Sequence, residues 1–192
     1  MKGDKSERII RILLETPDGS LTAYRIHKKA ECSEQWTGSY LKKLEKMNLI
    51  KRTKVIDIIG LFQQWLTIRS PLQYAAYHTQ KDPLLIIKNA HLSYALTTYQ
   101  ADTLIHRYLF PTRTDIYILE DELDLWHKIL ISQGLVGPGN IRIIIADPHI
   151  IKNSVEQKGF FIVGRSQLIC DLLMEGGVAR DAAHLLIKEW YK

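Results

Sequence analysis

"EQWTGSYLKKLEKMNLIKR", running from Glu34 to Arg52, decides how the first third of this chain is read. Tyr40, Leu41, Leu44 and Met47 recur at the spacing of one helical face and are expected to look into a core. Gln35, Ser39, Lys42, Lys43 and Lys46 then share the opposite face, short polar groups near the start and lysines further along. A helix that enters a DNA groove needs such a face: short side chains reach base edges and lysines reach phosphates. A solvated basic helix has the same composition, so the flanking sequence must discriminate.

Upstream, Ser6 or Asp4 is expected to cap a first helix, with Ile9, Ile10, Leu13 and Leu14 forming its apolar stripe. "TPDGS" (Thr16 to Ser20) carries Pro, Asp and Gly together and reads as a turn. "LTAYRIHKKA" fits a second short helix, with Leu21, Tyr24 and Ile26 facing inward. Glu31 to Ser33 form a short connector, and Ser33 caps the helix that follows. Downstream, Asn48 to Ile50 end that helix. "IKRTKVIDII" (Ile50 to Ile59) favours a strand by its Ile and Val content. Gly60 marks a bend, "LFQQWLTI" (Leu61 to Ile68) is expected as a second strand, and Ser70-Pro71 closes the unit. Three helices, a tight turn before the third and a hairpin make a winged helix-turn-helix over residues 1–70. Lys51, Arg52 and Lys54 fall in the wing, placed to hold the DNA backbone. Trp36 has two readings, a packed residue of the helix-turn-helix core or a DNA contact.

Charge supports the nucleic-acid reading. Residues 1–70 hold 14 Lys and Arg against 8 Asp and Glu, whereas residues 71–192 hold 12 against 13. The excess positive charge lies wholly in the first third, as expected for a part that meets a polyanion. At 46% hydrophobic and 24% charged residues the chain can bury a real core. Cys32 and Cys170 are far apart, which suggests neither a disulfide framework nor a zinc site and points to a reducing, cytoplasmic setting. "MKGDKSERII" lacks the apolar core of a signal peptide, and no apolar run is long enough to span a bilayer, so no membrane partner is expected.

After Pro71 the pattern changes. "QYAAYHTQKDP" (Gln73 to Pro83) reads as a linker or short helix, and "PLLIIKNA" as a buried strand or a helix start. "LSYALTTYQADTLIHRYLF" reads as a helix opened by a short strand, "TDIYILED" as a strand and "DELDLWHKILISQGL" as an amphipathic helix. "GPGNIRIIIADP" is a turn and a strand, "FFIVGRSQLICDLLMEGG" a short strand into a helix, and "ARDAAHLLIKEWYK" a terminal helix. Alternating strands and helices predict an α/β or α+β unit over residues 71–192 and an α+β chain as a whole.

"TDIYI" is the sharpest chemical candidate. Two carboxylates two residues apart on a strand share a face and can hold one Mg²⁺, as in nucleotidyltransferases. Asp115 is present, but Tyr117 stands at the second position, and a neutral phenol does not replace a carboxylate. Asp147, at the end of "IRIIIADP", is the remaining candidate ligand. The Gly-Ser pair that cradles phosphate at the preceding turn is missing; the nearest stretch is "LTTY" (Leu96 to Tyr99). No catalytic residue and no cofactor is assigned. The seven histidines show no ligand spacing, and Ser166 lacks a nucleophile elbow. "EDELD" (Glu120 to Asp124) is read as solvating and capping the next helix start.

"YALTTYQADTLIHRY", "TDIYI", "NIRIIIADP", "GRSQLICDLL" and "ARDAAHLLI", in that order, resemble the AbiEi antitoxin family of type IV toxin–antitoxin (abortive-infection) systems. The resemblance spans roughly residues 85–190. It implies a winged helix ahead of a domain shaped like a nucleotidyltransferase without its full carboxylate set. It further implies a transcriptional regulator that represses its own operon and opposes a partner toxin, without tight toxin binding being required. DNA-facing positions of that family match Gln35, Ser39, Lys42, Lys43, Lys46, Arg52 and Lys54 by helix position. The expected partners are double-stranded DNA of the protein's own promoter, a toxin opposed functionally, and a second copy of the chain, since two-fold sites double the contacts. A metal-dependent nucleotidyltransferase tethered to DNA and a protein-interaction adaptor remain alternatives.

Overall fold

The structure is a computed structural model and describes residues 5–191. Asp4, one of the two expected caps of the first helix, lies outside the described residues. The chain divides into two compact units between Ser70 and Pro71. Tyr191 groups with the first unit, and the second runs from Pro71 to Trp190.

The first unit is built from α1 (Lys5–Glu15), α2 (Ala23–Ala30), α3 (Glu34–Lys46), the hairpin β1 (Ile50–Lys51) and β2 (Lys54–Val55), and α4 (Ile58–Ile68). Ile9, Ile10, Leu13 and Leu14 of α1 are all buried, as their spacing predicts. Ser6 does not cap α1, because it already lies inside that helix. Thr22 caps α2 and Ser33 caps α3, each hydroxyl accepting a backbone N–H at the third following residue. Asn48 takes the left-handed conformation (φ 57°), and the Leu49 N–H returns to the Leu44 carbonyl, which ends α3.

The expected strand over Leu61–Ile68 is a helix. Asp57 caps α4 by accepting the Gly60 N–H at 2.8 Å, and Leu61, Phe62 and Trp65 turn inward at helical spacing. A bend at Gly60 followed by a second strand was expected there, but cap and periodicity are the stronger local instructions. Trp65 is sealed in: its indole Nε1 donates to Glu7 at 2.9 Å, and the Arg11 guanidinium lies 5.5 Å from its ring centre. The hairpin is therefore only the Ile50–Val55 segment. It is extended by the "TPDGS" turn, where Asp18 bridges Lys54 and the Val55 N–H reaches the Pro17 carbonyl. Gly19 (φ 82°) allows that approach, because a Cβ there would stand 2.8 Å from the Lys54 Cβ.

The second unit contains β3 (Tyr74–Thr79), α5 (Pro83–Ala90), β4 (Ala95–Thr97), α6 (Thr98–Ile105), β5 (Thr114–Ile118), α7 (Leu123–Ile131), β6 (Gly134–Val136), β7 (Ile141–Ile145), α8 (Pro148–Lys152), β8 (Val155–Gln157), β9 (Phe160–Ile162), α9 (Arg165–Glu175) and α10 (Gly177–Trp190). A one-turn 3-10 helix, Glu120–Glu122, precedes α7. Gln73 to Pro83 is neither linker nor helix: it is mostly β3, an interior strand of the sheet. The seven strands run in the order β6-β3-β7-β5-β4-β9-β8. Only β5/β7 and β4/β9 pair in parallel, so of the two expected classes, α/β and α+β, the unit is the α+β one, built on a mixed sheet. All five residues of β5 are buried, which requires cover on both faces. Among the described residues no helix is long and apolar enough to cross a membrane.

Candidate nucleic-acid interface

Gln35, Ser39, Lys42, Lys43 and Lys46 are all exposed on α3, while Thr37, Tyr40, Leu41 and Leu44 are buried on its other side. Met47, expected in the core, is 43% exposed: α3 ends at Lys46 and Met47 leaves the helical stripe. Thr37 fills the inward position that sequence spacing did not single out. The Ser39 hydroxyl donates to the Gln35 carbonyl at 3.0 Å, so one polar side chain of the face is tied to its own helix and retains acceptor capacity.

Trp36 is half-buried and does not enter the core. Its ring stacks on Tyr40, centroids 5.3 Å apart and planes at 15°, and Lys43 Nζ lies 6.0 Å from the Tyr40 ring centre. Residues 36, 40 and 43 thus form one row along α3, with aromatic surface at the start of the helix and a cation in its last turn.

The hairpin beside α3 holds Lys51, Arg52 and Lys54, all exposed. Arg52 sits at its tip in the left-handed region (φ 58°). Glu45 of α3 accepts the Arg52 backbone N–H at 2.9 Å and so fixes the tip to the helix, leaving the guanidinium free to reach outward. The sequence predicts α2 as a helix but not the outward face it presents. Tyr24, expected inside, is 57% exposed, with Lys28 Nζ 5.7 Å from its ring centre and Arg25 exposed nearby. The alternation of Ile26 and Ala30 as the buried pair of so short a helix was the available signal.

The second candidate, Asp115, is a buried anion already surrounded by cations. It is fully buried on β5, against α6. Arg142, its register partner on β7, donates through Nε and Nη2 to its two carboxylate oxygens, at 2.9 Å each. Arg113 Nε donates to the same carboxylate at 2.8 Å, and the Thr98 hydroxyl donates to it as well. Glu175, at the end of α9, balances the second cation: it accepts from Arg113 at 2.7 Å and from Arg142 at 3.4 Å. Burial opposes charge on Arg113, but its hydrogen bonds to Asp115 and Glu175 override this and raise its pKa above the ordinary value. Burial likewise opposes charge on Glu175, and the Arg113 hydrogen bond and the two guanidinium charges hold it below the usual range. Thr98 has φ 48°, a costly conformation for a β-branched residue, which places its hydroxyl on Asp115.

Tyr117, two residues on, points the same way but serves a separate carboxylate. Its hydroxyl donates to Asp171 at 3.0 Å, and Asp171 also accepts from Thr97 at 2.5 Å and Gln167 at 2.8 Å. Asp147 is not brought to Asp115. It lies five residues beyond Arg142 along the strand direction, roughly 16 Å away at strand rise, and caps α8 by accepting the His149 N–H at 3.0 Å. Asp115 and Asp147 therefore do not form one cation site, and among the described residues no cluster of three or more His, Cys, Asp or Glu is arranged to hold a metal. Of the acids of "EDELD", Glu122 accepts the backbone N–H and hydroxyl of Ser93 at 3.0 and 3.1 Å, and its side chain does not make the expected cap on α7.

No family model, no curated protein and no solved structure matches this chain.

Proposed function

We propose that the chain is a DNA-binding transcriptional regulator whose first unit is a winged helix. In this reading α3 is the recognition helix and the β1–β2 hairpin is the wing. The observation that carries it is the exposed row of Gln35, Ser39, Lys42, Lys43 and Lys46 beside a hairpin tip that Glu45 ties to the same helix. Among the described residues no ion pair neutralises Lys42, Lys46, Lys51 or Arg52, so their charge is available to phosphates. Gln35 and Ser39 stand near the helix start, where base edges come within reach.

The second unit is read as a nucleotidyltransferase-like domain that does not catalyse. Supporting this are β4, the Thr97-Thr98 turn, α6 and β5 in that order, with Tyr117 in place of a second carboxylate and two guanidiniums on the first. Together with the motif resemblance, this makes an AbiEi-like antitoxin the preferred form of regulator: one that represses its own operon, acts in the cytoplasm and opposes a toxin.

Fluorescence anisotropy with labelled duplex from upstream of the protein's own gene, against a scrambled duplex across a salt series, tests the reading. Tight binding to the upstream duplex that survives competitor is the expected result. Equal, weak binding to both duplexes overturns it.

A further inference from the structure

A cavity of about 380 Å³ opens between α5 and α7, on a part of the second unit that the DNA reading does not use. Its size is within the roughly 300–1,000 Å³ range of small-molecule sites. Leu85, Ile86 and Ile129 give it apolar walls, while Lys81, Asn89 and Gln133 bring polar groups to it. Lys81 is the one charged side chain in the lining; neither Asp nor Glu contributes.

The backbone that carries Lys81 is held by successive hydrogen bonds. Asn140 clamps Thr79 from both sides, accepting its N–H at 2.8 Å and donating to its carbonyl at 2.9 Å. The Thr79 hydroxyl, itself buried, donates to the Lys81 carbonyl at 3.1 Å. The Gln80 N–H donates to the Gln133 carbonyl at 3.3 Å, joining the two sides of the cavity's end. Asp82, the nearest acid in sequence, is committed to capping α5 through the Leu84 N–H at 2.9 Å. The ammonium of Lys81 is thus an unpaired cation, among the described residues, on a rigid support beside an apolar hollow. A cation beside apolar walls selects an anionic head on an apolar body.

We infer that the α5–α7 cavity binds a small amphipathic carboxylic acid, its carboxylate on Lys81 and its apolar body along Leu85, Ile86 and Ile129. The inference does not depend on the DNA reading and stands or falls separately.

The test uses the full-length, ¹⁵N-labelled chain titrated with octanoate, 1-octanol and 1-octylamine, following the backbone amides of Leu85, Asn89, Ser132 and Gln133. Octanoate is expected to shift these amides saturably, and octylamine is not. Lys81→Met is expected to weaken octanoate by roughly ten-fold or more, the worth of one hydrogen bond to a charged group, while octanol is unchanged. Ile129→Trp, which fills the hollow, is expected to abolish both interactions with the rest of the spectrum preserved. Non-saturating shifts, equal responses to octanoate and octylamine, or octanoate affinity unchanged in Lys81→Met would each overturn the inference.

Discussion

Arg142 and Asp115 meet as a two-pronged pair across the parallel register of β7 and β5, Nε and Nη2 each 2.9 Å from a carboxylate oxygen. The guanidinium lies against the carboxylate that a divalent cation would need. Asp115 is fully buried, so it must keep counter-charge. Arg142→Met is expected to destabilise the second unit by about 3 kcal/mol, since removing one partner of a buried pair leaves charge uncompensated. Arg113 retains part of the compensation, so Arg113→Met combined with Arg142→Met is expected to cost more than either alone. Urea denaturation of the variants measures both effects. A change under about 0.5 kcal/mol for Arg142→Met, the size of an ordinary surface substitution, would contradict the buried-pair account.

Glu175 gives this cluster a pH dependence of defined sign. Its carboxyl is held below the ordinary glutamate range, so the unfolded chain binds its proton first as pH falls. The stability it contributes is fully present above the unfolded-state value. It is lost as pH drops through the folded-state value, a window lying below about pH 4.5. Denaturation midpoints measured from neutral pH into that window should fall more steeply for the native chain than for Glu175→Gln. Parallel curves would remove Glu175 as the source.

Separate roles are expected along α3. Lys42→Ala with Lys43→Ala should weaken binding to every duplex and flatten the log–log salt dependence by about 0.9 for each phosphate no longer neutralised. Gln35→Ala or Ser39→Ala should leave that slope intact and reduce the ratio between upstream and scrambled duplexes. Anisotropy titrations across salt separate the two. Identical slopes for the native chain and the double lysine variant would contradict α3 as the DNA-facing helix.

The hairpin tip is tested through its anchor. Glu45→Ala removes the acceptor that holds the Arg52 N–H, freeing the tip without removing a cation. DNA affinity is expected to fall although net positive charge rises. A gain in affinity would mean that bulk charge, not the placement of Arg52, governs binding.

Gly19→Ala is expected to destabilise the first unit by about 1 kcal/mol or more. Residue 19 has φ 82°, and the new Cβ would press on the Lys54 Cβ across the Asp18–Lys54 bridge. Thermal unfolding of the full chain, read on a probe near Trp65, measures it.

Local instructions were legible in the sequence. Ser33, Asn48 and the Leu44 stripe define α3 and its basic outer face because capping and 3.6-residue periodicity act within one or two turns. The same rules mark α4, where the Asp57 cap on Gly60 outweighs the expected bend and second strand. Tyr24 and Met47 were expected inside, but the eight-residue α2 buries only Ile26 and Ala30, and α3 ends one residue before Met47.

The order of residues was enough to specify α1 to α3, the basic face of α3 and the absence of a second carboxylate at Tyr117. The order of the seven strands, the separation of Asp115 from Asp147 and the partner of the buried Asp115 charge arise only in the folded chain. Helix caps join residues two or three apart, so the chain carries their instruction locally. The carboxylate of Asp115 is matched by a guanidinium 27 residues away and balanced through a glutamate at the end of α9, contacts that exist only once β5, β7 and α9 are packed together.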